Sequence, residues 1–282
     1  MKPKICILQV EGTNCEYETF LAFTRLGAAA EIVHLKQLIE AEEVGAKAEE
    51  REQRRLKDYD ALVIPGGFSS GDYIRAGAIL AARVNAALGD EIADFIKIGA
   101  GKPVLGICNG FQVLVEMGLL PGFESVSLTT NDSARFECRP VLIRQENNGK
   151  CIFTQSIEKG RVLKMPCAHA EGKFFIDAKN SARYIQLLED NDQIVFRYVD
   201  PDGDYASYPW NPNGSVYNIA GICNPEGTIL GLMPHPERAF YAFTDSEWSR
   251  IRTRTGKSRM MEYGDGKKIF ESVLNYLRKS VF

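Results

Sequence analysis

The sequence predicts an α/β fold: a doubly wound, mostly parallel sheet flanked by helices, with an added mixed or antiparallel edge. Three observations lead there. Short apolar, β-branched runs alternate with helical patterns through the first 120 residues or so, the order that builds a parallel sheet with right-handed crossovers. From about Ser125 the texture changes to short strands separated by turn residues, which would add the antiparallel edge. Finally, 282 residues with 45% hydrophobic and 25% charged side chains are ordinary globular usage, enough for a sizeable core. One domain spanning 1–282 is expected.

The elements follow in order. "KICILQV" (Lys4–Val10) reads as a buried strand. "TNCEYETFLAFTRLGA" offers Thr13 and Asn14 as helix caps, Phe20, Phe23 and Leu26 near helical spacing, and Gly27 as a stop. "AEIVHL" is the second strand. A charged excursion at about 40–57 has almost no large apolar residue before Leu56 and reads as solvated. "ALVIPGG" (Ala61–Gly67) is the next strand, "EIADFIKIGAG" a helix closed by glycine, and "PVLGIC" the strand after it. "RFECRPVLIR", "CIFTQSI", "RVLKMPCAHAEGKFF", "IVFRYV" and "ILGLMPH" read as short strands, and "GKKIFESVLNYLRKS" as the last helix. An Arg-rich loop precedes that helix, the two together covering about 245–282.

Composition excludes several classes. A formal net charge of −3 provides no global field for nucleic acid or an anionic membrane. The start of the chain lacks the apolar core of a secretion signal, and no apolar run has the length of a bilayer span, so a cytoplasmic location is expected. Seven cysteines without a C-x-x-C pair argue against a disulfide framework or a zinc knuckle.

The chemistry concentrates at "GICNG" (Gly106–Gly110), which follows a buried strand and opens a helix. This is the form of a nucleophile elbow with cysteine in place of serine. The helix N-terminus beneath the sulfur favours a thiolate, which makes Cys108 the candidate nucleophile. A base is offered by "MPHPER": His235 and Glu237 are two apart on an extended segment and face the same way. Glu237 can hold one ring nitrogen and leave the other for Cys108, the arrangement of nucleophile, base and orienter. His169, with Glu171 two residues on, offers the same spacing, and geometry alone leaves the two histidines as rivals. "PGGFSSGDY" (Pro65–Tyr73) follows a strand with two glycines. Its Gly67 amide and that of Asn109 would make an oxyanion hole.

These residues resemble the class I, or triad, glutamine amidotransferases, in the first-loop glycines Gly66–Gly67, the elbow Gly106–Gly110 and the late H-P-E, His235–Glu237. Within that family "GGFSSGDYIRAGAI", "NDSARFECR", "HAEGKF" and "YNIAGICNPEGTILGLMPHPER" look like the glutaminase subunits of phosphoribosylformylglycinamidine synthase. Ser70 departs from the usual tyrosine of that loop. The resemblance implies a Cys108–His235–Glu237 triad that attacks the side-chain amide of glutamine through a γ-glutamyl thioester, with Gln112 near the substrate and His169 in the wall of its pocket. It also implies two partners, a large synthetase subunit and a small third subunit. No cofactor is expected in this chain. "RTGKS" ends like a P-loop, but Ile251 stands where the first glycine is required, so ATP and Mg²⁺ belong with the synthetase. Glutaminases for guanylate, anthranilate or cytidylate synthesis share the triad and lack only the longer motifs. An α/β-hydrolase would place its histidine after the acid, and here His235 precedes Glu237.

Overall fold

The computed structural model describes residues 2–39, 53–97, 101–123, 126–250 and 262–280. Most of the charged excursion, 40–52, and most of the Arg-rich loop, 251–261, lie outside them.

Five strands form the parallel part of one sheet: β1 (Lys4–Gln9), β2 (Ala29–His34), β3 (Ala61–Ile64), β4 (Val104–Ile107) and β11 (Ile229–Leu232), in the order β2-β1-β3-β4-β11. β1, β3, β4 and β11 are buried for most of their length, as expected where helices cover a parallel sheet, while the edge strand β2 buries only Val33. Four antiparallel strands continue it as β10-β9-β6-β7: β6 (Glu137–Gln145), β7 (Val162–His169), β9 (Ile194–Val199) and β10 (Ile219–Cys223). A separate antiparallel pair joins β5 (Val126–Thr129) to β8 (Lys173–Ile176). The mixed architecture is therefore the one the sequence predicts.

Among the described residues the helices are α1 (Glu16–Arg25), the short α2 (Leu35–Leu38), α3 (Ala78–Phe95), α4 (Asn109–Glu116), α5 (Ser181–Asp190) and α6 (Lys267–Ser280). From β1 the chain steps to β2 on one side and later to β3 and β4 on the other. With right-handed crossovers, that reversal opens a crevice at the carboxyl ends of the central strands, where α/β sheets bind ligands. Phe23 of α1 meets Phe270 of α6 edge to face at 5.1 Å, a favoured aromatic geometry.

Several local expectations need correction. Residue Cys15, not Thr13 or Asn14, is the N-cap of α1. Thr13 Oγ1 instead turns back to Val10 O at 2.9 Å, and Asn14 Oδ1 accepts from the Cys15 thiol. The segment "EIADF" is the end of a longer helix that begins at Ala78 and ends at Phe95. "CIFTQSI" is not a strand: Asn147 Oδ1 takes the Cys151 amide at 2.9 Å and successive turns close at Thr154 and Ile157, so its apolar side chains are buried without a ladder.

The glycines of the elbow are explained by contact. A Cβ on Gly110 would lie 1.9 Å from Ile64 O, and one on Gly106 would lie 2.6 Å from Gly110 O. Helix α4 thus rests directly on the backbone of β3. In contrast, a Cβ on Gly89, inside α3, meets nothing within 4 Å. Gly110→Ala should destabilise the protein by about 1–3 kcal/mol or more through overpacking. Gly89→Ala should stabilise it by about 0.5–1 kcal/mol by restricting the unfolded chain. Urea midpoints of the two variants check both signs.

Candidate active site

The nucleophile candidate sits where β4 becomes α4. Cys108 has φ 51° and ψ −105°, a conformation that L-residues avoid and that functional sites hold against strain. Its amide donates to Leu232 O of the neighbouring strand at 2.8 Å, continuing the parallel register in which Ile107 faces Leu232. The residue is 5% exposed, and its sulfur lies 3.6 Å from Ala168 O.

The base arrives from that same neighbouring strand. His235 follows the end of β11 by three residues, and its amide donates to Pro166 O of β7 at 2.8 Å. The ring is buried. Its Nδ1 donates to Glu237 Oε1 at 2.5 Å, since an ionised carboxylate can only accept. Burial alone would push this imidazole toward its neutral form, but the charge of Glu237 and then the Cys108 sulfur hold its pKa well above the ordinary histidine range. The other nitrogen, Nε2, is buried and makes no hydrogen bond of normal geometry among the described residues. It is the atom available to take a proton from Cys108.

The oxyanion loop is held against the first loop of the chain. Asn14 N donates to Gly66 O at 3.3 Å and Phe68 N to Gly12 O at 2.8 Å, which leaves the Gly67 amide out of the bridge. Gly67 has φ 144°, and a Cβ there would lie 2.7 Å from Gly12 O, so only glycine fits. Asn109, the first residue of α4, has an amide with no acceptor one turn back in the helix. Its side chain locks the loop instead: Oδ1 accepts from Ser69 Oγ at 2.5 Å and Nδ2 donates to Gln112 Oε1 at 3.0 Å and to Asp72 Oδ1 at 3.2 Å. Ser70, at φ 54°, is tied by its amide to Glu11 O at 2.8 Å and accepts from Arg83 at 3.3 Å.

Both remaining residues singled out in the sequence are present beside the elbow. The Gln112 amide is already spent: its Oε1 accepts from Asn109 and its Nε2 donates to Glu171 O at 2.6 Å, latching the β7–β8 turn to α4. His169 ends β7, buried, with neither ring nitrogen partnered among the described residues. Burial, reinforced by the charge on His235, pushes its pKa down to about 3. It is a neutral imidazole, unsuited to accepting the proton of a nucleophile. The structure therefore separates the two histidines that spacing alone leaves equivalent. Gly172 curls around the ring, since a Cβ there would lie 2.4 Å from His169 Nδ1.

Two residues that the sequence does not single out lie behind the imidazole, one against it and the other bonded to the first. Cys15 Sγ lies 3.9 Å from His235 Nδ1, and Arg238 Nη2 donates to that sulfur at 3.1 Å. The ligand atoms of Cys15, His235 and Glu237 lie within 4.8 Å of one another. A cation among them would face the Arg238 guanidinium and would have to break the Nδ1–Glu237 bond. The available sequence signal for Cys15 is its place after the carboxyl end of β1, on the crevice side of the sheet.

A cysteine on a strained elbow, a carboxylate-held imidazole on the adjacent strand and free amides around them can perform acyl transfer through a thioester. The CobB/CobQ-like glutamine amidotransferase domain matches residues 2–277. The chain belongs to that family. It is 52% identical over 285 residues to the phosphoribosylformylglycinamidine synthase subunit PurQ of Archaeoglobus fulgidus, covering 98% of this chain and 97% of that one. The PurQ subunit of Picrophilus torridus is 43% identical over 273 residues, with 95% and 96% covered. Among solved structures, that of PurLQS from Thermotoga maritima contains a chain that superimposes with a TM-score of 0.69 at 32% identity, covering 98% of this chain and all of that one. Among the described residues no helix is long and apolar enough to cross a membrane.

The neutral buried imidazole has a pH signature. Above an ordinary histidine pKa of 6.5 His169 is neutral in the folded and the unfolded chain, and its contribution is fully present. As pH falls from 6.5 toward about 3, only the unfolded chain takes the proton, and stability is lost at about 1.4 kcal/mol per pH unit. His169→Phe should remove this component. Urea denaturation at pH 7 and pH 5 should show wild type losing about 2 kcal/mol more than the variant.

Proposed function

We propose that this chain is the glutaminase subunit of a phosphoribosylformylglycinamidine synthase and supplies ammonia from glutamine to a synthetase partner. The observation that carries the reading is the meeting of the Cys108 elbow and the His235–Glu237 pair on adjacent parallel strands, in a chain that aligns end to end with PurQ subunits.

The reaction follows from the atoms. His235 Nε2 takes the Cys108 proton, and the thiolate adds to the carboxamide carbon of glutamine. The developing oxyanion is met by the amides of Gly67 and Asn109, donors aimed where charge appears. The imidazolium then protonates the leaving nitrogen, the C–N bond breaks, and ammonia departs as the γ-glutamyl thioester forms. Water, deprotonated by the same Nε2, releases glutamate and restores the thiol. His169 contributes a neutral wall to the glutamine pocket, and Gln112 keeps that wall in place through Glu171 O.

Ammonia in water at neutral pH is mostly ammonium and cannot attack. A glutaminase of this kind therefore works against a synthetase that receives the ammonia in a closed path. In this reading the large subunit holds ATP and Mg²⁺ and activates formylglycinamide ribonucleotide, and a small third subunit completes the assembly; the similar Thermotoga maritima chain is part of a PurLQS complex. The chain is one domain, and the site is cytoplasmic.

6-Diazo-5-oxonorleucine, a glutamine-like electrophile, should modify Cys108 alone among the seven cysteines, located by peptide mass spectrometry. In the assembled complex Cys108→Ala should lower glutamine-dependent synthesis by at least about 10³-fold while ammonia-dependent synthesis persists. Labelling of another cysteine, with Cys108 unmodified alone and in the complex, contradicts the reading. Supply of nitrogen to a guanylate, anthranilate or cytidylate synthetase instead would reassign the acceptor.

A further inference from the structure

The steps above use His235, Glu237 and Cys108 but leave unexplained a second buried sulfur against the base. Cys15 is 1% exposed. Its thiol donates to Asn14 Oδ1 at 3.1 Å, which leaves the sulfur lone pairs for Arg238 Nη2, which donates at 3.1 Å; His235 Nδ1, its hydrogen given to Glu237, lies 3.9 Å from the same sulfur. Arg238 directly follows Glu237 and reaches Glu18 only at 3.8 Å. Glu237 Oε2 is buried and has no partner among the described residues. The charge of Glu237 acts on the Arg238 guanidinium, and the sulfur that Arg238 bonds lies within 4.8 Å of a Glu237 carboxylate oxygen. Gly66 completes the clamp, since a Cβ there would lie 2.8 Å from His235 Cε1, 3.3 Å from Cys15 Sγ and 3.4 Å from Cys108 Cβ.

We propose that Cys15 is a positioning residue: its sulfur occupies Arg238 and keeps the guanidinium off Glu237, so that this carboxylate serves the His235 imidazole alone. A paired Arg–carboxylate contact is among the strongest hydrogen-bonded arrangements available. If Arg238 took Glu237, the imidazole would lose the charge that sustains its basicity. A thiol suits the task because it accepts from a cation while staying neutral, and burial raises the pKa of Cys15. A carboxylate in its place would bind Arg238 but repel Glu237. The other titratable groups facing the ring are Cys108 from the elbow and His169 and Cys167 from β7, which the variants below leave unchanged.

The inference rests on the triad reading, and the test separates the two. In the assembled complex, Cys15→Ala should lower kcat for glutamine by about 10–100-fold, with KM within about twofold. In the free subunit, the alkaline limb of the pH profile for Cys108 inactivation by 6-diazo-5-oxonorleucine, where the His235 proton is lost, should move to lower pH by about half a unit or more. Cys15→Ser, which keeps a donor and an acceptor, or Arg238→Met added to Cys15→Ala, which removes the competitor, should recover most of the loss. An unchanged kcat, a loss without the pH shift, or a loss relieved by neither change overturns the proposal. If Cys108→Ala retains glutamine-dependent turnover, it is the triad reading that has failed.

Discussion

A single residue carries the chain from the end of β4 into α4, and it does so at φ 51° with a cysteine side chain. Such a backbone costs about 1–3 kcal/mol, and the surrounding contacts have to supply it. The Cys108 amide is fixed to Leu232 O, and α4 is drawn onto β3 because Gly110 lets it approach the Ile64 carbonyl. On β11, Gly231 leaves room for Phe111, whose ring would lie 2.1 Å from an added Cβ. The glycines around the elbow are therefore packing requirements of one turn. What the turn delivers is a thiol at a helix N-terminus, facing the crevice, with the Asn109 amide beside it.

Everything else in the site is a consequence of which strand lies next to β4. Because β11 is its parallel neighbour, the segment after Leu232 emerges at the same end of the sheet and brings His235 to the sulfur. Glu237, two residues on, sets the charge of the ring, while burial and that charge together hold His169 neutral. Two imidazoles in one pocket are driven in opposite directions by what surrounds them, the pattern that assigns acid–base roles.

The parts of the molecule legible in the sequence are those decided by neighbours in the chain. The parallel strands announce themselves as continuous apolar runs, the elbow as paired glycines around a cysteine, and the base and its carboxylate as a two-residue spacing. Less legible is whatever depends on contacts across long separations. The choice between His169 and His235 turns on burial and charge that spacing does not encode. Cys15 meets a residue 220 positions away, and only its place after the carboxyl end of β1 marks it. Helix α5 sets Tyr184, Ile185 and Leu188 at helical spacing against the core, a pattern that the strand-like texture of its surroundings obscures. "CIFTQSI" errs the other way: its Cys151, Ile152, Phe153 and Ile157 are buried, but Asn147 caps the segment into turns.

The central claim is that the elbow, the imidazole and the two amides already stand in working geometry. A crystal structure of the Cys108 adduct with 6-diazo-5-oxonorleucine tests it most directly. The account predicts that the adduct carbonyl oxygen lies within about 3.1 Å of both the Gly67 and Asn109 amide nitrogens, with His235 still bonded to Glu237. An oxygen directed to solvent or to other donors, or a His235 ring that has left Glu237, would contradict it.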